Sequence, residues 1–217
     1  MKTKKVVYVI LMFLPLAAAL TALPFLPDQI PAHYGWDGLV TRWGSKYETL
    51  IFPCVTILFG LLMAGITKWV GKQEKEGENN AKVCLLAGLA CLVLYNAMTF
   101  YFLYLDFTAT TDLGAVSGDL NGIIFGILGV GLILIGNVMP KLRMNSAIGL
   151  RTRWSMKNEI VWKKCQRFGG IAAMIAGAAM IAAAVFTKGL TCTVLCMGLL
   201  AVMVLADLAY SYKAAKE

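Results

Sequence analysis

Six times along this chain a run of about twenty residues carries almost no charge: residues 6–26, 51–70, 83–105, 120–139, 169–186 and 190–210. A helix of that length crosses the roughly 30 Å hydrocarbon layer of a bilayer. Inside that layer the backbone must satisfy its own polar groups, which leaves only helices or closed barrels. These runs lack strict two-residue alternation, so they predict an all-α, polytopic membrane protein with six transmembrane helices. Composition agrees, with 59% hydrophobic and 15% charged residues, against about half and a quarter in soluble domains.

The basic residues sort themselves between the runs. Seventeen of the twenty Lys and Arg fall at the N-terminus, in residues 68–82, in residues 140–168 and in the C-terminal tail. The intervening segments hold only Arg42, Lys46 and Lys188. Cytoplasmic loops carry this excess, which predicts both termini inside and the loop after the first run outside. The net charge of +8 then answers to the anionic cytoplasmic leaflet, and the bilayer rather than nucleic acid is the expected partner. The opening lysines and apolar run also resemble a signal peptide, with residues 19–22 as a weak cleavage site. The run is longer than a signal core, so an uncleaved first helix is expected.

The six cysteines lie in apolar spans or in the basic segment, none in the loops placed outside. A disulfide framework does not fit that distribution. Cys192 and Cys196 sit four apart without a nearby His or further Cys, and small packing residues is the better reading. Polar residues inside spans are costly. Of Asn96, Asn137 and Asp207, the last two lie within about a turn of cytoplasmic ends. Asn96 is deep and suits an interhelical hydrogen bond. Gly122 and Gly126, and the Gly169, Ala173 and Gly177 series, present small faces for helix packing.

Two segments hold the candidate functional residues. The outer one, residues 27–50, is rich in turn formers: Pro27 and Pro31 with Gly35, Gly38 and Gly44 argue against a regular helix. Its Tyr34, Trp36, Trp43 and Tyr47 suit a segment held at the membrane surface. It contains the chain's single histidine, His33, with Asp28 and Asp37 nearby. One His with loop carboxylates falls short of the three or four ligands a zinc site takes. No Ser or Cys nucleophile motif accompanies His33, so no catalytic or metal-ligating set is assigned. A turn-fixing hydrogen bond, contact with a ligand, and acid–base work remain as three roles for it.

The inner segment, residues 140–170, carries eight Lys and Arg and two tryptophans. From Ser155 onward its pattern is helical, with Ser155 as N-cap and Glu159 in the first turn. Trp154, Val161, Cys165 and Phe168 cluster on one side, with Trp162 at its edge, and Lys157, Lys163, Lys164 and Arg167 on the other. That is the layout of a helix lying in the membrane interface. Just before it, Asn145, Gly149, Arg151 and Thr152 form a compact polar turn. The segment serves either as a positive-inside anchor or as a docking surface for a cytoplasmic partner or anionic lipid.

The series Asn145, Ile148 to Thr152, Trp154, Asn158, Val161, Trp162, Arg167 and Gly169 resembles the signature of the SdpI-like immunity-protein family. In the outer loop, Leu26, Pro27, Ile30, Pro31, His33, Tyr34, Gly35 and Gly38 resemble the small domain of unknown function (DUF1648) that accompanies it. One departure is Cys165-Gln166, where Thr-His is the pattern in many relatives. The resemblance implies a multi-pass bacterial plasma-membrane protein, without cofactor or enzymatic activity. It also implies protection against a secreted membrane-active peptide toxin, and capture of a cytoplasmic repressor. The toxin-facing candidates are then Pro31, His33, Tyr34, Gly35 and Gly38. The partner-facing candidates are Asn145, Gly149, Arg151, Thr152, Trp154, Asn158, Trp162 and Arg167. The chain divides into residues 1–70, two helices with the outer loop, and residues 83–217, four helices with the basic loop 140–168. The alternative function is a small-solute transporter or membrane enzyme built on the His33 loop.

Overall fold

The computed structural model describes residues 2–35, 37–73, 77–113, 120–145 and 147–217. Trp36, one of the expected surface aromatics, lies outside the described residues. So do residues 74–76 of the charged connection and 114–119 of the acidic outer segment.

Six helices follow one another: α1 (Lys2–Ala22), α2 (Ile51–Gln73), α3 (Gly77–Thr108), α4 (Leu120–Val138), α5 (Glu159–Phe186) and α6 (Gly189–Lys216). Each belongs to a segment long and apolar enough to cross a membrane. Between α1 and α2 stands a two-stranded antiparallel hairpin, β1 (Gln29–Tyr34) and β2 (Val40–Ser45). The turn-rich composition of that loop hides two short strands.

The first three helices pack as one group. Tyr8 reaches from α1 to the Gly60 carbonyl of α2 at 2.7 Å. Asn96 donates to the Leu11 carbonyl of α1 at 2.8 Å and to Leu92 in its own turn at 2.7 Å. This is the interhelical bond expected of a deep asparagine. In hydrocarbon such a bond contributes about 1 kcal/mol.

The last three helices form the second group, in which α4 and α5 touch backbone to backbone. A Cβ on Gly129 would lie 2.7 Å from the Gly177 carbonyl, and one on Gly170 would lie 2.6 Å from that of Gly136. The close faces are therefore Gly129/Gly136 and Gly170/Gly177. Gly126 makes only an ordinary contact with Ala184, and Gly169 turns away toward Met139, Asp207 and Leu150. Cys192 and Cys196 are buried with Met180 in an apolar cluster, the packing role their neighbours in sequence suggest.

Two expectations need correction. The basic stretch does not form an interfacial helix starting at Ser155. The helix begins at Glu159, with the Asn158 side chain accepting from Val161 N at 2.9 Å, and runs unbroken to Phe186. Ser155 is already committed to a turn, donating to the Leu150 carbonyl at 2.8 Å and accepting from Thr152 N at 2.9 Å. Asp207, expected near a helix end, is buried instead. Because α6 continues to Lys216, Asp207 sits more than two turns inside, 8% exposed beside Gly169.

Candidate functional site

The loop from Lys141 to Asn158 is folded by its own polar side chains. Buried Asn145 accepts from Ala147 N and Ile148 N, both at 2.8 Å, and donates to the Arg143 carbonyl at 2.8 Å. An Asx turn of this kind starts the reversal. Gly149 then adopts φ +102°, and a Cβ there would stand 2.7 Å from Gln166 Oε1. Both facts restrict the position to glycine. Gln166, fully buried on α5, accepts from Leu150 N and donates to Leu150 O, each at 3.0 Å.

The next residues dock on α6. Thr152 donates to Ser211 Oγ at 3.0 Å, and Ser211 donates to the Leu208 carbonyl at 2.9 Å. Trp154 meets Tyr212 edge-on at 5.2 Å between centroids, and Phe168 stacks on Tyr210 at 4.0 Å. Lys157 Nζ closes on the Ala215 carbonyl at 2.6 Å. From the other side, Trp162 Nε1 donates to Leu142 O at 3.0 Å. Asn79 donates to Lys141 O at 2.7 Å, and Asn80 accepts from Arg143 N at 2.9 Å. Three helices thus hold the loop, α3 through two asparagines, α5 through Trp162 and Gln166, and α6 through Ser211.

The predicted partner-facing residues therefore divide. Asn145 and Trp162 are buried, and Thr152 and Trp154 are half-buried against α6. Gly149 and Asn158 are exposed but set backbone geometry. Only Arg151 and Arg167 present exposed cations. The apolar side of the basic stretch faces the protein rather than the headgroups. Trp162 packs with Val83 and Leu142, and Val161 and Cys165 pack with Ala214.

At the opposite end the hairpin is tied to both neighbouring helices. Gly38, at φ +82°, makes its turn. Ser45 and Glu48 form a capping box into the 3-10 turn before α2, and Arg42 grips Glu48 through two bonds of 3.1 and 2.9 Å. Lys46 pairs with Asp28 at 2.8 Å, which holds the Asp28 carboxyl below the usual carboxylate range. The residues after α3 join the tip: Val40 N donates to Thr111 O, Leu113 N to Gly38 O, and Leu39 bridges Asp112. Tyr34 donates to the Thr110 carbonyl at 3.0 Å, and burial pushes its phenol up to about 12, with Asp106 adding to the effect.

Within that hairpin, Pro31 is buried and Tyr34, Gly35 and Gly38 are half-buried. His33 is exposed, with Nδ1 2.6 Å from Thr41 Oγ1. Asp37 accepts from Leu39 N at 3.1 Å. Neither Asp28 nor Asp37 is spent on His33. Among the described residues, no three His, Cys, Asp or Glu side chains gather as a metal site would need.

The profile of the SdpI/YfhL protein family matches residues 141–211, and that of DUF1648, a domain of unknown function, matches residues 10–57. Over 213 residues the chain is 29% identical to the Immunity protein SdpI of Bacillus subtilis (strain 168), covering 96% of this chain and 95% of that one. The chain thus resembles the SdpI/YfhL family, most specifically over residues 141–211. No solved structure matches it.

It is accordingly a multi-pass bacterial membrane protein. The limits of the SdpI/YfhL match have a physical counterpart. It opens at Lys141, whose carbonyl Asn79 holds, and closes at Ser211, which receives Thr152. The DUF1648 match takes in most of α1, the whole hairpin and the first turns of α2. Sequence reasoning missed Ser211, Asn79 and Asn80 and gave Ser155 and Gln166 no part in folding the loop, which all five share. Gln166 is the place where this chain departs from the Thr-His pattern. Asn79, Asn80 and Ser211 are ordinary polar residues whose partners lie far away in sequence, and Ser155 bonds within five residues, in a turn rather than at a helix cap.

Proposed function

We propose that this protein is an integral immunity protein that protects its cell from a secreted, membrane-active peptide. The observation that carries the reading is similarity to an immunity protein along nearly the whole of both chains. The hairpin end faces outward and the basic end faces the cytoplasm, an orientation supported by the seventeen-to-three sorting of Lys and Arg. On this reading the hairpin, tied to α2 and α3, is the first part of the protein an external peptide meets. Protection works by binding rather than by catalysis. The transporter or enzyme alternative gains nothing from the hairpin, since His33 is hydrogen-bonded to Thr41 and both nearby aspartates are engaged elsewhere.

The basic end holds a cytoplasmic repressor when the peptide is present. Its exposed cations Arg151 and Arg153 stand on the turn that Thr152 fixes to α6, so a shift of α6 against α5 would move them. The test is expression in a sensitive bacterium under peptide challenge, with a tagged repressor imaged in the same cells. Survival should rise with the intact chain. Arg151→Ala with Arg153→Ala should release the repressor while membrane insertion and protection persist. Survival no better than that of the empty host defeats the immunity reading. Undiminished recruitment by the arginine variant defeats the docking surface. Trp162 is unsuitable for this test because it is buried, and its loss would report on folding.

A further inference from the structure

On the side of the loop away from α6, a cleft of about 420 Å³ opens between the Lys141–Arg143 backbone, Asn79 and α5. Lys141, Arg143, Lys163 and Arg167 line it, and among the described residues no acidic one does. Lys163 and Arg167 stand one helical turn apart. Like charges at that spacing destabilise a helix unless an anion lies between them. Their neighbour Lys164 turns the other way and pairs with Glu217 at 2.8 Å. The sequence thus neutralises one cation of the triplet and leaves two facing the cleft.

The cleft is built on a rigid floor. Three consecutive residues are pinned by side chains from two helices: Lys141 O by Asn79, Leu142 O by Trp162 and Arg143 N by Asn80. Lys141 and Arg143 stand on this fixed backbone and have only side-chain freedom to lose on binding, which favours a defined site over a diffuse basic surface.

Its position selects the ligand. The cleft lies just past Val138, where α4 leaves its apolar run, beside the part of α5 that enters its own. Four-residue steps from Lys163 through Arg167 reach Ile171 and Ile175, which are 45% and 65% exposed. An exposed apolar track therefore descends from the cations along the span. We propose that this cleft binds the phosphate of an anionic phospholipid, with the guanidinium of Arg167 and the ammonium of Lys163 on the headgroup and an acyl chain along Ile171 and Ile175. The forked donors of Arg suit phosphate oxygens, and basic pockets between helices at the cytoplasmic side take such headgroups.

The full-length protein, purified in a zwitterionic detergent, is titrated with phosphatidylglycerol, with phosphatidylcholine and with inorganic phosphate, and its thermal unfolding is followed. Phosphatidylglycerol should raise the midpoint and the other two should not. Lys163→Gln with Arg167→Gln should need about tenfold or more phosphatidylglycerol for the same shift, and Lys141→Gln alone should weaken it in the same direction. Lys164→Gln should titrate like the parent. An undiminished response in both cleft variants overturns the site. Equal shifts with phosphatidylcholine overturn its charge selectivity, and equal shifts with inorganic phosphate overturn the lipid assignment.

Discussion

Gln166 holds Leu150 by both of its backbone polar atoms, accepting from N–H and donating to C=O at 3.0 Å each. One buried amide thereby does for the loop what a neighbouring strand would do, and it does so from the middle of a helix. A neutral imidazole could not reproduce the pair, because its two nitrogens point in divergent directions. Gln166→Leu should leave Leu150 N–H without a partner, at about 1–3 kcal/mol, while the Leu150 carbonyl keeps the bond from Ser155. Gln166→Glu should keep the bond from Leu150 N and lose the one to its carbonyl, so it should destabilise as well. Thermal unfolding in detergent ranks the variants, and a Gln166→Leu protein as stable as the parent would rule out the clasp.

Gly149 feels the same amide from the other side. Its φ of +102° is strained for any side chain, and a Cβ would press on Gln166 Oε1 at 2.7 Å. Gly149→Ala should therefore cost about 1–3 kcal/mol. Combined with Gln166→Leu, it should cost less than the two separate losses added together, because both act on one contact. A double-mutant cycle on unfolding midpoints measures that coupling.

The spans could be read directly because hydropathy is a local property: six apolar runs became six helices. The basic loop was legible as a motif but not as a fold. Asn145, Gly149, Thr152 and Trp162 stood out, yet their partners Ser211, Leu142 and Gln166 are set by tertiary packing. Ser155 and Asn158 are both good N-cap residues. The choice between them rested on Ser155's bond to the Leu150 carbonyl, which no periodicity reveals. The hairpin stayed hidden for a related reason. Its strands are short and interrupted by Pro31 and Gly44, and its tip is completed by residues after α3.

At the hairpin the Asp28–Lys46 pair predicts a dependence on pH. Lys46 lowers the Asp28 pKa in the folded protein. The pair therefore contributes fully above the ordinary carboxylate range, near pH 4, and its contribution fades as pH falls through the lower, folded value. Asp28→Asn should loosen the base of the hairpin at neutral pH and make no difference once Asp28 is protonated. Hydrogen exchange at the Lys46 amide, which donates to the Asp28 carbonyl at 3.1 Å, reads this out when parent and variant are compared at each pH. A variant-to-parent ratio that stays constant down to about pH 2 would remove the pair from the account.

The loop can be locked at three helices only if those helices keep their spacing, and the α4–α5 contact sets it at the loop's two feet. Gly177 and Gly129 meet so closely that a Cβ on either presses on the other's carbonyl, and Gly170 and Gly136 repeat the contact toward the basic end. Gly170→Ala should push α4 and α5 apart where Pro140 also crowds that position, at 3.0 Å. Overpacking of this kind costs about 1–3 kcal/mol. The displacement should reach Leu142, whose carbonyl receives Trp162 Nε1, and move the indole of a residue that is otherwise fully buried. Tryptophan emission of a chain whose other four tryptophans are replaced by Phe should therefore shift to the red in Gly170→Ala. In Gly65→Ala, where a Cβ meets open space, it should stay in place. An unshifted spectrum together with an unchanged midpoint in Gly170→Ala would mean that the two backbones do not touch.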